Sequence, residues 1–387
     1  MNRKQLTLLI VLGIVLGGLG YLANRKKQSS YERGQAKEDG QTLLKSVARS
    51  AINDVTQITL KQGAAEVTLA RVGEQWTVKE RGAYAANFNN ISELLKKLWD
   101  VKVTRAIEAG PSRRPALKLT PDTATQVELK DDKGKTIASL TLGMQAAAKG
   151  SDDGSPFGGP MPTGRYVLLN GDLKTLVLVA DPLQSVETRA EEWLQKDFIK
   201  VEGVRSVAVT ATEATNSWKV TREDAAGDWK LADAKASEKL DVAKLGPVNS
   251  VLGSASFNDV LVNFKPESVG LDKPRTATIQ TFDGFTYALK LGKKDEENFS
   301  LQFTVTADLP KQRAPGKDEK PEDKTRLDQE FADRSKRLAE KLKADQAFEK
   351  WTYTVSKWTV DPLVKDRKEW LAEKKEELKK DEKPEVK

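Results

Sequence analysis

The chain has 387 residues, 38% hydrophobic and 31% charged, enough for one large or two medium globular domains. Cys and His are both absent, which excludes disulfides, thiolate chemistry, Ser-His-Asp and Cys-His nucleophile systems, His-ligated metals and the HExxH arrangement. A net charge of +7 from 64 basic and 57 acidic residues is nearly balanced, without the cluster of basic and stacking aromatic residues that a nucleic-acid partner needs, so none is expected.

In chain order, Leu6 to Ala23 comes first (LTLLIVLGIVLGGLGYLA), uncharged and fenced by Arg3 and Lys4 before it and Arg25, Lys26 and Lys27 after it. As a helix it spans about 27 Å, close to the ~30 Å of bilayer hydrocarbon, which predicts a transmembrane signal anchor over 1–24. The alternative is a cleaved signal peptide, whose apolar region is about 7–15 residues and ends at a small-x-small site. Here the run is longer, and its small-x-small triplet, Gly18-Leu19-Gly20, lies inside it. Gly13 and Gly17 form a GxxxG spacing, which admits either close approach of a second helix or the ordinary glycine content of such segments. The short tail before the anchor favours an extracytoplasmic body, although the flanking charge alone does not fix orientation.

Residues 25–53 read as a polar juxtamembrane spacer. Strands are expected at Val55–Leu60, Glu66–Leu69 and, behind a turn at Gly73, Trp76–Val78. Asn87 is the expected N-cap of a helix from Phe88 to Leu98 with Phe88, Ile91, Leu94, Leu95 and Leu98 on one face. Further strands are expected at Val101–Ile107, Gln126–Lys130 and Thr136–Leu142, then a loop from Ala146 to Gly164, then strands at Arg165–Asn170 and Thr175–Val179. Asp181-Pro182-Leu183 is expected to open a helix ending near Trp193 and Leu194.

The same order then repeats. Val55, Ile58 and Leu60 are echoed by Val204, Val207 and Val209, and Trp76 to Val78 by Trp229 to Leu231. The helix face returns as Val242, Leu245, Val248 and Leu252 behind Asp241, and Thr123 to Thr125 as Thr276 to Thr278. Leu140-Thr-Leu-Gly143 returns as Leu289-Lys-Leu-Gly292, and Asp181-Pro-Leu183, Arg189 and Trp193 as Asp361-Pro-Leu363, Arg367 and Trp370. The expected fold is α+β: an N-terminal transmembrane helix followed by two tandem repeats of an antiparallel sheet with packed helices, over 54–202 and 203–371. The second repeat carries an insertion, 307–350, with strands expected on either side at Ser300–Thr306 and Trp351–Val355. Its charged helix from Thr325 to Lys350 presents Leu327, Phe331, Leu338, Leu342 and Phe348 on roughly one face. That helix either rests its thin apolar stripe on the parent domain or serves as a docking arm. Residues 372–387 read as a charged tail.

The search for chemistry yields no catalytic, cofactor-binding or metal-ligating residue. There is no GxxxxGK[ST] phosphate loop and no Ser-x-x-Lys, and Asp152 and Asp153 lack the ligand series of a calcium loop. Neither a cofactor nor a metal is expected. Trp76, Trp193, Trp229 and Trp370 hold corresponding positions in both repeats, which favours packing over ligand stacking. Arg189 with Asp181, and Arg367 with Asp361, are expected to pair at a helix start.

The anchor, then V-x-x-I-x-L, V-T-L-x-R and W-x-V, Tyr84-Ala-Ala-Asn87 before a helix, L-x-L-G, and D-P-L…R…W-L at the close form an order that resembles the bacterial domain-of-unknown-function 4340 family. The likeness runs from Met1 to about Leu371 and rests on diffuse structural positions. The resemblance implies an anchored envelope protein of the bacterial inner membrane, with its body on the extracytoplasmic side. It also implies an accessory role beside ABC-type transporter components like those of the gliding-motility export system. The expected function is therefore a non-catalytic interaction subunit, single-pass in the membrane, with protein partners in an ABC-type transport complex. Two other readings stand beside it: a binding module for envelope glycans or polymers, and a hydrolase using paired carboxylates.

Overall fold

The structure, a computed structural model, describes residues 40–108, 111–147, 162–169, 175–316 and 319–373. The expected anchor, most of the spacer, Asp152 and Asp153 and all but two residues of the charged tail lie outside the described residues. Among the described residues no helix is long and apolar enough to cross a membrane. The chain forms two compact units, dividing between Gln195 and Lys196, each built on one antiparallel sheet. Strand predominates and helices are few, compatible with α+β.

In the first unit the strands are β1 (Gln57–Gln62), β2 (Ala65–Val72), β3 (Gln75–Val78), β4 (Tyr84–Ala85), β5 (Val103–Glu108), β6 (Thr125–Lys130), β7 (Thr136–Ala147), β8 (Pro162–Leu169) and β9 (Thr175–Val179). They lie in the order β4-β3-β2-β1-β6-β7-β8-β9-β5. Period-2 alternation decides which face is buried: Ile58, Leu60, Val67, Leu69, Val127 and Leu129 point one way, and Thr59, Lys61, Glu66 and Gln126 the other. Helix α1 (Phe88–Asp100) covers the apolar face with Ile91, Leu94, Leu95, Leu98 and Trp99. Burying each such side chain contributes about 1.5–3 kcal/mol before entropy is counted. Asn87 caps α1 as its sequence predicts, its carboxamide oxygen accepting from the N–H groups of Asn89 and Asn90 at 3.0 and 3.4 Å.

The second unit repeats this order. Strands β10 (Val204–Thr210), β11 (Trp218–Thr221), β12 (Lys230–Leu231), β13 (Asp259–Leu261), β14 (Arg275–Thr281), β15 (Phe285–Lys293), β16 (Asn298–Ala307) and β17 (Thr352–Ser356) lie as β12-β11-β10-β14-β15-β16-β17-β13. Strand for strand this is the order of the first sheet without the two-residue β4. Where the first unit has α1, the second has a 3₁₀ turn, Val242–Leu245, and one turn of helix, α2 (Gly246–Asn249), burying Leu245 and Val248. Pro247 and the glycine before it shorten this element. Residues 196–202, placed with the first repeat by sequence, pack here. Phe198 meets Phe257 and Tyr353 edge-on, with ring centroids 5.2 and 4.7 Å apart.

The insertion forms helix α3 (Lys324–Gln346), which lies on its parent unit. Asp345, 5% exposed, accepts from the Tyr287 hydroxyl and the Lys341 ammonium, both at 2.8 Å. Burial first, then the Asp345 carboxylate, push the Tyr287 hydroxyl well above its usual pKa. At the helix end Gln346 donates to the Val305 carbonyl at 3.1 Å, and three residues on Glu349 accepts from the Val305 N–H at 2.6 Å. These side chains stand in for the ladder partner that β17, paired with β16 only from Asn298 to Leu301, does not supply.

The repeated L-x-L-G segments have a steric cause. A Cβ on Gly143 would lie 2.5 Å from the Leu117 carbonyl oxygen, and one on Gly292 2.4 Å from that of Val269. In each unit a loop crosses so close to the sheet that only glycine fits.

Several expectations are corrected. Asp181-Pro182-Leu183 does not open a helix. Its Asp181 carboxylate accepts from the Leu183 N–H at 2.6 Å, and Leu183 sits at φ 48°, a turn conformation. In the second unit Asp361-Pro362-Leu363 ends helix α4 (Lys357–Val364) rather than starting one. Arg189 pairs with Glu187 and Glu192, not Asp181. Arg367 pairs with Asp233 and Glu238, and Asp361 with Lys365. The loop expected from Ala146 to Gly164 is strand at both ends, since β7 runs to Ala147 and β8 begins at Pro162, and 148–161 lie outside the described residues. Phe88, expected on the packed face of α1, is 61% exposed.

Candidate functional site

The first unit holds an amphipathic cleft of about 370 Å³ where three elements meet. One wall is the 3₁₀ turn Arg49–Asp54, the second the β2–β3 hairpin, the third the first half of α1. Gly73, at φ 63°, turns the hairpin, and the register then sets Arg71 directly opposite Trp76. The Trp76 indole, 5% exposed, forms the floor with Val55 and Leu95. Phe88, Ser92 and Lys96 follow at four-residue spacing down one flank of α1 and supply the other side. Because α1 turns Ile91, Leu94 and Leu98 into the core, Phe88 at the start of the helix is left on the rim.

The charge on this rim has one sign. Arg49, Arg71 and Lys96 line the cleft and no carboxylate does. Arg49 is bonded to Asp100, outside the cleft, and that guanidinium holds the Asp100 carboxyl below its usual range. Arg71 and Lys96 have no ion pair among the described residues. Lys96 acts on Asp100 as well, so three cations share one carboxylate, and an apolar floor under that positive excess accepts an apolar side chain that carries a carboxylate beside it. Nothing in the lining is arranged as a nucleophile with its base.

Other polar clusters are structural. Arg367, 7% exposed, grips both carboxylate oxygens of Asp233 at 3.0 Å and Glu238 at 2.7 and 3.1 Å, which ties the segment after α4 to the segment that follows β12. Among the described residues the Arg165 guanidinium bonds only neutral acceptors, the carbonyls of Gly143 and Leu183 and the Thr125 hydroxyl, and burial lowers its pKa. It pins the turn at Asp181 to the L-x-L-G crossing. The four tryptophans that recur in both repeats, Trp76, Trp193, Trp229 and Trp370, are each at most 6% exposed. Their N–H groups follow suit where bonded: Trp193 donates to the Glu187 carbonyl at 2.8 Å and Trp229 to the Asn249 side chain at 2.9 Å. Among the described residues no group of three acidic side chains is placed to hold a metal ion.

Trp76 and Leu95, expected in the core, are buried there and also floor the cleft, whereas Phe88, expected beside them, stands exposed on its rim. Sequence reasoning missed Arg49, Arg71, Ser92 and Lys96. The available signal was an aromatic side chain at the first helical position, beyond an N-cap, where nothing covers it.

The family model described as "Domain of unknown function (DUF4340)" matches residues 76–274, just over half of the chain. The matched span holds the α1 side of the cleft and its Trp76 floor, and it runs into the second unit. No curated protein and no solved structure matches the chain.

Proposed function

The chain belongs to the domain-of-unknown-function (DUF4340) family, and from that premise we propose that it is a membrane-anchored, non-catalytic accessory subunit of an ABC-type envelope transport complex. Its two units act as tandem repeats of one scaffold, anchored in the bacterial inner membrane through Leu6 to Ala23 and held on the extracytoplasmic side. The matching strand orders and the paired L-x-L-G crossings support the repeat. The cleft beside α1 carries the functional reading: Phe88 is 61% exposed over an apolar floor with an excess of cations on its rim, the composition of a protein-docking site.

The test is mild-detergent affinity purification of the tagged full-length protein, with mass spectrometry of the proteins that co-purify. ABC permease and ATPase subunits are expected with the natural sequence and lost from Phe88→Asp, a change at an exposed position that leaves the fold intact. A partner-free preparation from the natural sequence overturns the reading, as does partner retention after removal of residues 1–24. Deleting 307–350 is a poorer probe, because Phe348 packs against Phe198 with ring centroids 5.7 Å apart.

A further inference from the structure

The most exposed large apolar side chain among the described residues is Trp358, 84% accessible, in the first turn of α4. It follows Lys357, which lines a pocket of about 320 Å³ in the second unit. The floor of that pocket is apolar: Leu291 and Phe299, 2% and 8% exposed, with Val364 from the far end of α4. Four cations and one carboxylate surround it. Arg275 is committed to Asp366 at 2.7 Å, and Lys293 to Glu296 at 2.8 Å. Lys273 has no ion pair among the described residues, and Lys357 shares the field of Glu296 with Lys293, so the rim keeps an excess of positive charge over the apolar floor.

We propose that this pocket and Trp358 form a second docking site, which takes an acidic peptide segment carrying one apolar or aromatic side chain. The side chain enters the pocket above Leu291 and Phe299, flanking carboxylates meet Lys273 and Lys357, and the segment lies along the Trp358 ring. Charge complementarity identifies the occupant: an apolar-floored pocket with an excess of positive charge on its rim selects carboxylates next to a hydrophobe. A bilayer would need several apolar tips in one plane, whereas here four cations line a pocket and a single tryptophan projects. The site lies within the second unit and does not rest on the cleft beside α1.

The probe is a fluorescein-labelled heptapeptide with a central phenylalanine between two pairs of acidic residues, titrated by anisotropy against the full chain in neutral detergent. Trp358→Ala is expected to weaken binding about tenfold or more, as loss of an interface tryptophan does. The double change Lys273→Glu and Lys357→Glu is expected to weaken it at least as much and to remove the weakening by added salt. Lys336→Glu, exposed on α3, is expected to bind as the natural sequence does. Hydroxyl-radical footprinting reads Trp358 directly, and the peptide should protect it. Equal binding by the variants, or by a peptide with lysine in place of its acidic residues, overturns the proposal. So does protection of Trp358 by nanodiscs containing phosphatidylglycerol when the peptide gives none, which would make the surface a lipid contact.

Discussion

Replacing Asp345 by alanine tests whether α3 is fixed to the second unit. The carboxylate is 5% exposed and holds two groups, the Tyr287 hydroxyl and the Lys341 ammonium, each at 2.8 Å. Tyr287 is fully buried, so losing its acceptor strands a polar group, a penalty of about 1–3 kcal/mol. Lys341 is the lesser loss, since it is partly exposed and keeps its bond to the Lys200 carbonyl at 2.8 Å. Together these give about 2–4 kcal/mol against docking of the helix. Hydrogen exchange read by mass spectrometry on peptides from Lys324 to Gln346 should then quicken by roughly 30- to 700-fold, tenfold per 1.4 kcal/mol. Tyr287→Phe removes the donor but leaves Asp345 its ammonium partner, so a smaller effect of the same sign is expected. Unchanged exchange over α3 in both variants would refute the clamp. An equal acceleration across the whole second unit would show instead that α3 does not open separately.

Three further outcomes are expected. Gly143→Ala and Gly292→Ala each destabilise by about 1–3 kcal/mol in urea titrations, because the added methyl meets a backbone carbonyl that cannot move alone; a change within about 0.5 kcal/mol in either would contradict the close crossing. Asn87→Ala costs about 1 kcal/mol through the lost cap, and Asn87→Asp largely retains it, both readable as shifts in melting temperature. Acid weakens the second unit through Glu238, which the Arg367 guanidinium holds at about 2 against an ordinary 4.5. The unfolded chain therefore takes up the proton first, and the stabilisation is complete above about pH 5 and drains away as the pH falls towards 2. Urea midpoints between pH 6 and pH 3 should fall less steeply for Glu238→Gln; an identical slope would assign the acid sensitivity elsewhere.

The elements that the sequence announces are those whose determinants are local. The cap at Asn87, the apolar faces of β1 and α1, the turn at Gly73 and the charged helix of the insertion are each written within one short continuous stretch. The repeated Leu-x-Leu-Gly segment also stood out, but its cause did not: the carbonyls of Leu117 and Val269 arrive from elsewhere in the chain. Asp181-Pro-Leu183 misled for the opposite reason, since Asp-Pro suits a helix start and an Asx turn equally, and the bond from the Leu183 N–H decides between them. The cleft beside α1 was legible only in part. Its aromatic members were visible, but three segments far apart in sequence bring its cations together, and neither periodicity nor spacing reports that. Arg367 is the same case, with partners at Asp233 and Glu238 that no local pattern links to it.

The far edge of each sheet has a consequence for how the chain acquires its shape. β5 leaves α1 and pairs not with its neighbours in sequence but with β9, the last strand of its unit; β13 pairs likewise with β17. A strand made early thus waits for one made last, and neither sheet reaches its final width until its whole segment has emerged. Pairing over such separations slows folding, because the loop must close before the contacts reward it. A nascent chain therefore completes the first unit while the second is still being synthesised, and the order of the repeats becomes an order in time. Within the second unit the delay is longest, since the insertion carrying α3 separates β16 from the strand that both β16 and β13 require.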